Sequence, residues 1–162
     1  MKKCLLTIGL ILTAASASFA QASATLTISG TVAPVNTITI ASQTGYNALD
    51  LVNGASAKVV GIATETSNDK LGYKVTLASL NAGATAQAFL KGALTGIADT
   101  VNYSITYGGT AVTLASGSAT VTSVAARTTA AGVTKNIAVT YSGSWLTADT
   151  YSDTLTLTIA GN

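Results

Sequence analysis

The sequence predicts an all-β protein folded as an antiparallel sandwich, and three observations carry that prediction. Short runs in which apolar and polar residues alternate recur along the chain, with the period of two expected of half-buried strands. Clusters of Gly, Asn, Asp and Ser punctuate them at the spacing of tight turns. No stretch longer than two turns carries the 3.6-residue apolar period of an amphipathic helix.

The start of the chain reads as an address rather than as fold. A basic Met1-Lys2-Lys3, an apolar run from Leu5 to Ala15 and a small-x-small site at Ser18-Phe19-Ala20 predict a secretory signal over residues 1–20, with the mature chain beginning at Gln21. The apolar run is too short and wrongly flanked to span a bilayer, and no second one follows, so no membrane insertion is expected after processing. Cys4, the only cysteine, would leave with the signal. So would Lys2 and Lys3: eight basic minus six acidic residues gives +2, and without those lysines six balance six. A neutral chain with scattered charges offers no basic stripe to a phosphate backbone, so nucleic acid is not an expected partner. A neutral surface rich in Thr, Ser and Ala is also poorly protected against self-association. What remains is one domain's worth of chain: an N-terminal segment over 21–33 and a single sandwich over 34–162.

In order, Ala24 to Val32 sets Leu26, Ile28, Gly30 and Val32 against Thr25, Thr27, Ser29 and Thr31, and predicts a strand. Pro34, the only proline, separates it from a second strand over Asn36 to Ala41. A short strand is predicted at Ala48 to Val52, and Asn53-Gly54 turns the chain into a longer one over Ala57 to Thr66. Ser67 to Gly72 reads as a hairpin connection into Tyr73, Val75 and Leu77. From Asn81 to Ala98 the expectation is a loop with a short strand at Ala88 to Leu90. Val101, Tyr103, Ile105 and Tyr107 alternate strongly, and Gly108-Gly109 turns them into Thr110 to Ala115. Ser116-Gly117-Ser118 leads to Ala119 to Val124, and Lys135 to Ser142 places Ile137, Val139 and Tyr141 inward. The cleanest signal comes last: in Thr150 to Ile159, Tyr151, Leu155, Leu157 and Ile159 share one face and Ser152, Thr154, Thr156 and Thr158 the other.

The residue inventory argues against an enzyme. Without His, and without Cys after processing, the chain lacks the commonest general base, the commonest soft metal ligand and the thiol nucleophile, and no cofactor or metal is expected. Asp149 and Asp153 are the nearest thing to a carboxylate pair, but four apart on one parity they read as a turn residue and a rim residue. Asn68-Asp69 fits no Asp-x-Asp-x-Asp-Gly loop and reads as a turn rather than a calcium site. Trp145, between Gly143-Ser144 and Leu146, is the candidate ligand contact, as a stacking platform for a sugar; a lone Trp is more often core or core rim.

Two readings stay open for the first alternating segment. Ala24 to Val32 either pairs within its own sandwich or inserts as a donor strand into another subunit. Burying Leu26, Ile28 and Val32 would contribute about 5 to 9 kcal/mol at roughly 1.5 to 3 each. That is comparable with the net stability of a domain.

The ending Ala148-Asp149-Thr150-Tyr151-Ser152-Asp153-Thr154-Leu155-Thr156-Leu157-Thr158-Ile159 resembles the closing motif of the spore coat protein U and archaic chaperone-usher pilin superfamily. Ala24 to Val32 is similar to that family's alternating N-terminal segment, and Asn68 to Ser79 to its central hairpin. The resemblance implies an incomplete immunoglobulin-like β-sandwich, completed by donor-strand exchange, that serves as a structural subunit of a bacterial surface fibre in adhesion or biofilm. Its implied partners are copies of itself or related subunits, a periplasmic chaperone and an outer-membrane usher. The implied route is export through the periplasm to the cell surface. Leu26, Ile28, Gly30 and Val32 would be the donor's inward residues, and Leu155, Leu157 and Ile159 one wall of the acceptor groove. The chain departs from the family in lacking the cysteine pair that many members carry near the first strand. The alternative is a monomeric exported binding module for a glycan or an envelope protein.

Overall fold

The computed structural model describes residues 22–162, so the signal expected over 1–20 lies outside the described residues. The chain divides into a unit ending at Val32 and a compact unit Ala33–Asn162.

Ten strands form the second unit: β1 (Asn36–Ser42), β2 (Gly54–Ser67), β3 (Tyr73–Ser79), β4 (Ala88–Gly92), β5 (Thr100–Tyr107), β6 (Thr110–Val112), β7 (Ser118–Val124), β8 (Val133–Ser142), β9 (Tyr151–Ser152) and β10 (Leu155–Gly161). No helix occurs among the described residues, and none there is long and apolar enough to cross a membrane. The larger sheet has seven strands in the order β1-β2-β8-β5-β4-β9, with β6 beside β5; the smaller has three, β10-β3-β7. Every pair is antiparallel. Val75, Leu77 and Leu157 from the smaller sheet meet Ala63, Tyr103, Ile105, Ile137 and Val139 from the larger in one buried cluster. The architecture is therefore an all-β antiparallel sandwich.

The alternating runs at 36–41, 57–66, 73–77, 101–107 and 135–142 all lie within strands, because period-two patterning matches a surface with one dry face. The short strand expected at Ala88 to Leu90 is β4, and the strand expected from Thr110 ends at Val112.

Four expectations are corrected. Ala24 to Val32 forms no strand, and Leu26, Ile28 and Val32 are each at least 85% exposed. Ala48 to Val52 is turn, because Asp50 Oδ1 accepts the Val52 and Asn53 backbone N–H groups at 3.1 and 3.0 Å and so competes with any ladder. Ser67 to Gly72 is not a hairpin: β2 pairs with β1 and β8, and β3 with β10 and β7, so the turn carries the chain from one sheet to the other. Gly72 makes that crossing at φ +88, where a Cβ would overlap the Val124 carbonyl oxygen.

The fourth correction concerns the closing strand, which is two strands. β9 pairs with β4 in the larger sheet and β10 with β3 in the smaller. Asp153 sits at the switch, where its carboxylate accepts hydrogen bonds from Ser79 Oγ (2.6 Å), Tyr103 Oη (2.5 Å) and the Asn81 and Thr154 backbone N–H groups (3.0 and 2.7 Å).

Candidate functional site: an open strand edge above an apolar groove

The feature of the sandwich that invites a partner lies between β1 and β10, the edge strands of their respective sheets. At one end the two approach each other: a Cβ on Gly161 would stand 3.3 Å from the Asn36 side-chain amide nitrogen. Toward the other end they part. Ile38 packs against the core, whereas Ile40, two residues along the same face, is 46% exposed.

The gap opens into a groove of about 290 Å³. Ile40 and the loop residues Tyr46 and Leu49 form one wall, and Asp153, Thr154 and Leu155 the other. Val60, Gly61, Ile137, Val139 and Tyr141 contribute to its lining from β2 and β8. Gly61 keeps the floor low, since a Cβ there would come within 3.1 Å of Ile40 and 3.5 Å of Ile137. The lining is mainly apolar, and beside it the second edge of β10 has no ladder partner among the described residues. Such an arrangement can accept an extended segment, with backbone groups pairing to the edge and alternate side chains entering the groove.

The three residues expected on the acceptor wall are spread along β10. Leu155 lines the groove, Leu157 is buried in the core, and Ile159 is half-buried against it nearer the closed end. Of the residues expected on a donor strand, Leu26, Ile28 and Val32 present their apolar side chains to solvent, and a Cβ on Gly30 would touch nothing within 4 Å.

Trp145 is 95% exposed, which overturns the expectation of core or core rim. Its loop is built outward by its own polar anchors: Ser144 N–H donates to the Leu51 carbonyl at 2.9 Å, and Thr147 N–H to Asp99 Oδ2 at 2.9 Å. The Thr147 backbone bond, and then its side chain, hold the Asp99 carboxyl below the usual carboxylate range. Asp149 is a turn residue, accepting the Leu94 and Thr150 N–H groups at 2.8 and 2.7 Å. Asp153 is more than a rim residue. Burial first, and the Asp153 hydrogen bond second, push the Tyr103 hydroxyl well above its ordinary pKa.

A fully buried carboxylate escapes the sequence reading. Glu65 has no solvent exposure and accepts hydrogen bonds from Tyr73 Oη (2.8 Å), Tyr107 Oη (2.6 Å) and Thr122 Oγ1 (2.7 Å). Tyr73 and Thr122 belong to the smaller sheet, Glu65 and Tyr107 to the larger, so the cluster clasps the two layers. Burial, then the Glu65 bond, raise the Tyr73 hydroxyl to about 12. The signal available in the sequence is parity, because Glu65 shares the inward face of β2 with Ala63.

No group of three or more His, Cys, Asp or Glu residues able to hold a metal ion occurs among the described residues. Compared with known proteins, the chain matches no protein-family model and no curated protein.

Proposed function

We propose that this chain is a structural subunit of a bacterial surface fibre, assembled by strand donation between copies of itself or related subunits. The observation that carries the reading is the groove between β1 and β10. An apolar trough beside an unpaired strand edge is found in the same chain as an alternating segment, Ala24 to Val32, that forms no strand of its own. In this reading the sandwich is immunoglobulin-like and short of one strand, and the segment of a neighbour supplies it. Leu26, Ile28 and Val32 enter the groove, while Leu155, Leu157 and Ile159 stand on the receiving side. By the resemblance described above, a periplasmic chaperone occupies the groove before an outer-membrane usher exchanges it for the neighbour, and the fibre functions at the cell surface in adhesion or biofilm.

The test is a denaturing gel of the mature protein with and without boiling. A heat-sensitive ladder is expected, and Ile28→Asp is expected to remove it, because a carboxylate would have to enter an apolar trough. A monomer whose behaviour is unchanged by deleting Gln21 to Ala33 would sink strand donation.

The 95% exposure of Trp145 favours a second reading, a monomeric exported binding module for a glycan or an envelope protein. Glycan affinity unchanged by Trp145→Ala would remove its residue-level support.

A further inference from the structure

The charges of the sandwich are sorted by end. One end is formed by the loops 43–53, 93–99 and 143–150, which are tied together by bonds from Ser144 N–H to the Leu51 carbonyl and from Leu94 N–H to Asp149. Its half of the sandwich carries Asp50, Asp99, Asp149 and Asp153 against Lys58 and Lys91, a net of −2. The opposite end is formed by the turns 68–72, 108–109 and 125–132, where Thr128 N–H donates to the Ser67 carbonyl. That half carries Lys70, Lys74, Arg127 and Lys135 against Asp69 and the buried Glu65, a net of +2. The neutrality of residues 33–162 is therefore the sum of two opposed ends.

Each end also shows apolar surface. On the acidic end Trp145 is 95% exposed, Val52 67% and Leu94 57%; on the basic end Leu71 is 65% exposed. Beside Leu71's turn lies a depression of about 660 Å³ lined by Val35, Thr66, Asn68, Arg127 and Thr128.

We propose that successive copies of this chain stack head to tail, with Trp145 on the acidic end of one sandwich seated in the Arg127 depression on the basic end of the next. The occupant is a second copy because one molecule carries both halves of the match, opposite in charge and each with an apolar centre. A contact between two different patches is heterologous, and because the two patches lie at opposite ends of the sandwich, repeating it extends an open filament rather than closing a ring. Arg127 beside an exposed indole adds a cation–π contribution to the charge attraction.

The inference rests on the strand-donation reading, and the polarity of the two agrees. β10 runs from Leu155 in the acidic half to Gly161 at the basic end, where the neighbouring Asn162 donates to the Gly72 carbonyl. A donated strand antiparallel to it, like every other pair in the sandwich, would leave the groove at the acidic end. Its chain continues into Ala33, whose carbonyl accepts from Asn68 Nδ2 at 2.8 Å on the basic end of its own sandwich. Donation therefore delivers a basic end to an acidic one.

The absence of cysteine after Cys4 makes cross-linking a clean test. The full chain carrying Ser144→Cys beside Trp145 together with Thr129→Cys on the rim of the Arg127 depression, both anchors kept, is exported, assembled and treated with a short bismaleimide. The expected result is a covalent ladder that survives boiling and is absent from either single variant. A second pair, Ser144→Cys with Leu71→Cys, covers a small displacement, and Ser144→Cys with Ser104→Cys on the flank of the sandwich serves as control. Adding Lys70→Glu and Lys74→Glu, or raising the salt, is expected to lower the yield several-fold. Polymers on unboiled gels with no boiling-resistant ladder from either pair would overturn the stacking and leave strand donation standing. Absence of polymers from the unmodified chain would overturn both. Equal alkylation of Ser144→Cys in monomer and polymer would also overturn the stacking, and would leave Trp145 free for a ligand.

Discussion

Replacing Glu65 by Leu keeps roughly the same volume in the core but strips three hydroxyls of their acceptor. Tyr73, Tyr107 and Thr122 donate only to Glu65 among the hydrogen bonds their hydroxyls make in the structure. An unsatisfied buried hydroxyl costs about 1 to 3 kcal/mol, so the three together cost about 3 to 9 kcal/mol. A domain of this size is stable by only about 5 to 15 kcal/mol, so Glu65→Leu is expected to bring the fold close to its unfolding threshold. Tyr107→Phe removes a single donor and is expected to cost about 1 to 3 kcal/mol. The sharper expectation is non-additivity. The quadruple variant Glu65→Leu, Tyr73→Phe, Tyr107→Phe, Thr122→Val removes both sides of every bond and should recover at least half of what Glu65→Leu loses. Urea unfolding of the purified monomer, followed by circular dichroism, reads each value from the shift in midpoint at constant slope. If Glu65→Leu lies within about 1 kcal/mol of the parent, or the quadruple variant is as unstable as the singles summed, Glu65 does not clasp the two sheets.

Alkali is expected to unfold the sandwich cooperatively. Tyr73, Tyr103 and Tyr107 all have their hydroxyl pKa values raised in the fold, chiefly by burial, Tyr73 to about 12. A raised folded-state value means stability that is fully present below the unfolded pKa near 10 and lost as pH rises through the folded value. Each such tyrosine contributes a slope of up to about 1.4 kcal/mol per pH unit above pH 10. Urea midpoints between pH 9 and 12, paired with tyrosinate absorbance, check this, and ionisation of all six tyrosines near pH 10 without loss of structure would contradict it. Asp153→Ala deletes the acceptor of four hydrogen bonds where the chain changes sheets, and is expected to destabilise by about 2 to 4 kcal/mol. Hydrogen exchange on this variant should show β9 and the start of β10 opening first; protection unchanged there would refute the role of latch.

Most strands were legible because alternation reports a one-sided burial directly. Val75 and Leu77, or Ile137, Val139 and Tyr141, announce an inward face whichever neighbours they acquire. Alternation is silent about the identity of those neighbours, and that silence explains the errors. Ser67 to Gly72 has the residues of a hairpin turn, and the same local chemistry also serves a passage between sheets. In the final stretch Tyr151, Asp153 and Leu155 keep one parity straight through the change of sheet, so the pattern runs unbroken across a structural break. Ala24 to Val32 alternates as strictly as β10 and yet forms no strand among the described residues. The groove was legible only in part, since Leu155 could be named from its motif whereas Ile40, Tyr46 and Gly61 meet it through the packing of β1 and β2. Trp145 lies outside the pattern because hydrophobicity predicts burial on average, whereas the hydrogen bonds that hold its loop outward are fixed by Leu51 and Asp99, distant in sequence.

The order of strands also dictates when this protein can fold. β2 zips to β8 with Gly54 opposite Ser142, and β3 to β10 with Ser79 opposite Leu155, so the centre of each sheet waits for the last third of the chain. Only the β1–β2, β4–β5 and β5–β6 pairings are local. A topology dominated by distant partners folds slowly and keeps strand edges bare while it does so. A chain emerging N-terminus first from a translocation channel would therefore expose Ile38, Val75 and Tyr103 before their partners exist. The length of that interval is set by how soon residues 133–161 follow.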